Sequence, residues 1–83
     1  PNPFNPRTEI SFELERAGPV RIRVYDIQGR LVRELATGAY PAGRHALVWD
    51  GRDREGRAAA SGAYYVRLVA GDRVDGRKVL LLK

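Results

Sequence analysis

Apolar and polar residues take turns along most of this chain with a period of two, and no segment sustains a helical apolar period. Ile10, Phe12 and Leu14 alternate with Glu9, Ser11, Glu13 and Glu15. Val20, Ile22 and Val24 alternate with Arg21, Arg23 and Tyr25. His45, Leu47 and Trp49 share one parity, as do Tyr64, Val66, Leu68 and Ala70. Leu31 to Leu35 is a shorter, less regular apolar segment, and Val79 to Leu82 is a continuous one. Successive side chains on a strand point to opposite faces, so this pattern demands half-buried strands. The nine glycines recur every five to eleven residues, the rhythm of short strands and tight turns. The expected fold is all-β: an immunoglobulin-like antiparallel β-sandwich of six to seven strands. Trp49 is its natural core anchor.

Turn chemistry separates the runs. Gly18-Pro19 breaks the first two, and Asp26-Ile27-Gln28-Gly29 suits a hairpin loop ending on Gly. Pro41-Ala42-Gly43 suits a turn, and Gly71-Asp72 and Asp75-Gly76 punctuate the last portion. The one long connection runs from Asp50 to Gly62, with room at Ala58-Ala59-Ala60 for a single helical turn. Pairing residues 9–15 with 20–25 as neighbouring strands predicts Glu13 across from Arg21 or Arg23.

At 83 residues the chain makes one domain, at 8–83, behind a Pro-rich lead-in at 1–7. No cysteine is present, which excludes thiolate metal sites and Cys nucleophiles. No apolar stretch is long enough for a membrane-spanning helix. The start at Pro1 carries no signal-peptide pattern, leaving a mature product or a piece of a longer protein. The net charge of +5 comes from cations spread along the chain, thirteen of fifteen of them Arg. It favours anionic partners such as surface polysaccharide, or simply solubility.

Catalysis finds little support, and no enzyme activity or cofactor is expected. The single histidine, His45, reads as a packed or rim residue, and neither Ser11 nor Ser61 has a plausible His and acid partner. Asp50, Asp53 and Glu55 offer oxygens to a cation, but Arg52, Arg54 and Arg57 compete for them. The loop reads better as a turn in which Asp side chains bond local amides, with no metal site. Arg21, Arg23 and Tyr25 share a face, yet Glu9, Glu13 and Glu15 are expected to neutralise it, so nucleic acid is not an expected partner.

The two ends carry the candidate contacts. Pro1, Asn2, Pro3 and Phe4 open an extended, kinked segment that suits a second contact. Arg77, Lys78, Val79, Leu80, Leu81, Leu82 and Lys83 form a basic and apolar terminus without alternation. Such a strand is either buried on both faces or docks on something else.

Several segments resemble, in order, the C-terminal sorting domains of type IX secretion cargo. They are residues 1–6 followed by Arg7-Thr8-Glu9-Ile10-Ser11-Phe12, then Val24 to Val32. Gly43-Arg44-His45 leading to Trp49-Asp50-Gly51 and Gly56, Ser61-Gly62-Ala63-Tyr64-Tyr65, and Arg77 to Lys83 complete the set. The stretch from Trp49-Asp50-Gly51 to Ser61-Gly62-Ala63-Tyr64 also resembles the immunoglobulin-like domain of flagellar hook-capping proteins. The two ends favour the sorting domain. That resemblance implies a targeting and surface-attachment module, secreted or on the surface of a bacterium with an outer membrane. It also implies that secretion machinery captures residues 77–83 by strand addition. The alternative is a structural subunit of an extracellular fibre or cap, in which the Pro-rich arm and the final strand join like subunits. A third is a sugar-binding module presenting Tyr25, Tyr40 and Tyr65.

Overall fold

Six strands account for the alternating runs: β1 (Thr8–Leu14), β2 (Gly18–Tyr25), β3 (Leu31–Tyr40), β4 (Gly43–Trp49), β5 (Gly62–Ala70) and β6 (Arg73–Leu81). The structure is a computed structural model that describes residues 7–83. The strands form a two-stranded sheet, β1-β4, and a four-stranded sheet in the order β3-β2-β5-β6. Every ladder is antiparallel. The inward residues of both sheets form one core that includes Ile10, Phe12, Ile22, Val24, Val66 and Leu81. The fold is therefore a β-sandwich.

Trp49 closes this core. It is fully buried, and its ring meets Tyr64 edge to face with centroids 5.0 Å apart. Its indole Nε1–H donates to the Arg52 carbonyl at 3.0 Å. The Tyr64 hydroxyl donates to the Ala60 carbonyl at 2.6 Å. The Asp50–Ser61 connection is thus pinned near both ends by polar tips of core aromatics, and no buried side-chain polar atom is left unpaired among the described residues. No helical turn forms at Ala58-Ala59-Ala60; Ala58 instead makes an isolated bridge to Arg52.

β1 does not pair with β2, as the charge pattern suggests. It pairs with β4, so Glu13 lies opposite Arg44, while Arg23 lies opposite Glu34 on β3. Alternation assigns each side chain to a face but leaves the partner strand open. The 15–17 connection carries the chain from one layer to the other. β3 also runs five residues past Leu35, through a weakly apolar stretch, with register shifts against β2 on either side of Arg23-Val24. Asp75-Gly76 does not end a strand. Gly76 lies mid-strand in β6, opposite Arg67.

Two turns share one device. In Asp26-Ile27-Gln28-Gly29-Arg30, the Asp26 carboxylate accepts the amides of Gln28 and Arg30, each at 2.9 Å. In Asp53-Arg54-Glu55-Gly56-Arg57, the Asp53 carboxylate accepts those of Glu55 and Arg57, at 2.9 and 3.0 Å. Each fourth residue takes φ +84, a conformation open to Gly and costly for residues with a Cβ. The Arg side chain folds back on the same Asp in both turns.

Candidate interaction surfaces

β6 is an edge strand, hydrogen-bonded to β5 on one side only. Its register sets Arg77 opposite Val66, Lys78 opposite Tyr65, Val79 opposite Tyr64, Leu80 opposite Ala63 and Leu81 opposite Gly62. The alternation hidden in the apolar run then emerges. Leu81 is 1% exposed and sits in the core, and Val79 packs beside it. Leu80 and Leu82 are 59% and 72% exposed. The strand is not buried on both faces, contrary to the first of the two expectations for an unalternating run. Lys83 lies past the strand, and its amide donates to the Ser61 hydroxyl at 3.2 Å. Pro1, Asn2, Pro3 and Phe4 fall outside the described residues.

Apart from β6, the outer face of the four-stranded sheet holds most of what the sequence left unassigned. Arg21, Arg23 and Tyr25 of β2 lie beside Val69, Arg67 and Tyr65 of β5. On β6, Val74, Gly76 and Lys78 continue the same rows. The glutamates expected to neutralise Arg21 and Arg23 are not here. Glu9 and Glu13 lie on β1, in the other layer, and Glu15 follows that strand. Glu34 takes their place: its Oε2 is 2.8 Å from Arg23 Nε and 3.9 Å from Arg21 Nε. That contact raises the Arg23 guanidinium pKa above its ordinary value.

The Asp50–Gly56 loop behaves as the turn reading predicts. Asp50 accepts the Arg52 amide at 3.1 Å and the Arg33 guanidinium at 2.9 Å. Burial pushes its carboxyl up, but the Arg52 amide and Arg33 outweigh that and hold it below the usual carboxylate range. Asp53 is held low chiefly by the Arg57 amide, and Asp26 by the Arg30 amide. Glu55 is paired with Arg57. Each of the three carboxylates already accepts from an amide or a guanidinium group, Asp53 through both of its oxygens.

His45 stacks on Phe12, with centroids 5.1 Å apart, and meets Tyr40 edge to face. Its Nε2 is 2.7 Å from the Pro41 carbonyl. The ring thus anchors the corner where β3 crosses into β4, and Tyr40 belongs to that aromatic cluster rather than to an exposed aromatic face.

The described residues form an immunoglobulin-like sandwich with a bare sheet edge, a cationic outer face and loops locked by their own side chains. Residues 2–73 match the FlgD Ig-like domain, and the chain belongs to that family. The basal-body rod modification protein FlgD of Salmonella typhimurium is 34% identical over 64 residues, spanning 76% of this chain. The Escherichia coli protein of the same name gives the same identity over the same length. The chain spans 28% of the length of these curated relatives. Among solved structures, FlgD from P. aeruginosa superposes with TM-score 0.74 at 24% identity, covering 96% of this chain and 64% of that one. FlgD from Xanthomonas campestris, described in terms of hook capping essential for flagellar assembly, gives 0.71 at 28% identity, covering 93% and 55%.

These matches overturn the type IX sorting reading. The Pro-rich opening that favoured it falls, from residue 2 onward, inside the FlgD match. The opening therefore does not separate the two families, and the central motifs are common to both. The sorting signal expected at residues 77–83 loses its support with the family.

Proposed function

We propose that this chain is a non-enzymatic structural module of a flagellar hook-capping protein, working outside the cell as part of a self-assembling cap. The single observation behind this reading is membership of the FlgD Ig-like family, with 34% identity to named FlgD proteins and the same sandwich in two FlgD structures. The folded form agrees with it. Rigid turns and a sealed core suit a part that must hold its shape in an assembly, and the bare β6 edge gives neighbours a place to add a strand. On this reading Arg77 to Lys83 contact like subunits, with Pro1 to Phe4 as a second contact. Arg77, Lys78 and Lys83 set orientation and on-rate.

A chimera tests this directly. The chain replaces the matching segment of Salmonella FlgD in a strain lacking its own copy, and hooks are counted by electron microscopy. Restored hooks and motility are expected. A chimera that is made, exported and folded but builds no hooks overturns the reading.

A further inference from the structure

The outer face of the four-stranded sheet has a composition that a merely solvated face does not need. An antiparallel sheet exposes one face to water, and that face is ordinarily polar. Here Tyr65, Val74 and Leu80 are 51%, 54% and 59% exposed on adjacent strands. A groove of about 450 Å³ lies beside Tyr65, Arg67 and Val74, and Gly76 leaves it open by having no side chain. Arg67 lines it, and three more cations, Arg21, Arg23 and Lys78, stand in the strand rows of the same face. Among the described residues one carboxylate, Glu34, shares the strand rows of that face, and Arg23 already holds it. Asp26 and Asp75 border the groove, each paired with an arginine of its own, Arg30 and Arg73. Arg67 and Lys78 make no ion pair among the described residues.

We propose that this face, centred on Tyr65 and Gly76, docks an acidic segment of a partner protein that carries an apolar or aromatic anchor. The charge complementarity selects an acidic partner. The aliphatic side chains select a polypeptide. Tyr25 and Tyr65 can stack on a base, a sugar or an aromatic side chain alike, so the choice of a polypeptide rests on the aliphatic Val74 and Leu80. Glu34, the face's one strong acceptor for sugar hydroxyls, is engaged by Arg23. Exposed Tyr and Arg around an open pocket have the composition of protein–protein hot spots. The inference is independent of the cap reading, since it rests on the face and not on the family.

The isotope-labelled chain is titrated with a random glutamate–tyrosine copolymer and followed by NMR. Polyglutamate, polyglucuronate and single-stranded oligothymidylate are titrated in parallel. Shift changes are expected at Tyr65, Arg67, Gly76 and Lys78, strongest with the copolymer and weakened by salt. The double variant R67E/K78E is expected to bind about tenfold more weakly or not at all, because both unpaired cations reverse. Gly76→Leu fills the groove. A Cβ at that position meets nothing within 4 Å and the backbone φ is ordinary, so the variant folds and loses preference for the copolymer over polyglutamate. Unchanged thermal unfolding of both variants shows that binding alone was removed. No binding, shifts elsewhere, or equal binding of the polysaccharide or oligonucleotide overturns the proposal. Self-association abolished by R67E/K78E also overturns it, since the occupant is then a second copy of this chain.

Discussion

Trp49 is the largest fully buried side chain, and it adds a hydrogen bond and an aromatic contact to its burial. Trp49→Ala is expected to cost about 3–5 kcal/mol. That approaches the whole stability of a small domain, so the variant should be largely unfolded in urea denaturation followed by circular dichroism. A cost near that of a surface substitution would show that the core does not close on the indole. The paired aspartates give a pH signature. Asp26 and Asp53 bind protons less readily in the fold than in the open chain, since backbone amides favour their charged forms. Their contribution is complete above the ordinary carboxylate pKa of about 4 and is lost as pH falls through it toward the lower native values. The double variant D26N/D53N keeps an oxygen to accept the backbone amides, gives up the second oxygen that accepts from Arg30 or Arg57, and removes the titration. Its melting temperature should therefore fall less steeply between about pH 5 and pH 2 than that of the parent. Equal slopes would place the acid sensitivity elsewhere. The Asp-x-x-Gly-Arg spacing at 26–30 and 53–57 is the sequence signal for this shared turn. Each turn is recognisable separately, but only the repeat shows that one device is used twice.

At the scale of elements, β6 offers the sharpest test, because neighbouring leucines have opposite fates. Leu81→Ala empties a core position and is expected to cost about 2–5 kcal/mol, whereas Leu80→Ala should stay within about 0.5 kcal/mol. Denaturant midpoints of the two variants check the parity, and equal costs would mean that the strand is registered differently. The strands of strong alternation, β1, β2, β4 and β5, were legible because period two follows from the pleat itself. The weaker ones were not. The end of β3 runs through Thr37, Gly38 and Ala39, residues with little apolar contrast. The start of β6 contains Asp75-Gly76, whose composition is that of a turn. Pairing was the least legible feature, since Glu13 meets Arg44 and not Arg21 or Arg23. Opposite charges across a ladder are satisfied by several arrangements, so they report compatibility rather than connection. The cationic face was hidden for the same reason: its dismissal relied on glutamates that belong to the other layer.

For the whole molecule, the partition of the chain ends between layers matters most. β1 belongs to the two-stranded sheet and β6 to the four-stranded one, and no ladder joins them. Among the described residues, what connects them directly is the shared core and one polar link, Arg73 Nη1 donating to the Glu13 carbonyl at 2.6 Å. Tension applied between the first and last strands passes from one layer to the other through apolar packing and a few side-chain links, this one and Arg33 to Asp50 among them, not along a common row of backbone bonds. Pulling should therefore slide the layers past each other, and Arg73→Ala should lower the rupture force in single-molecule stretching more than it lowers equilibrium stability. The domain would then act as a mechanical fuse set in part by Arg73.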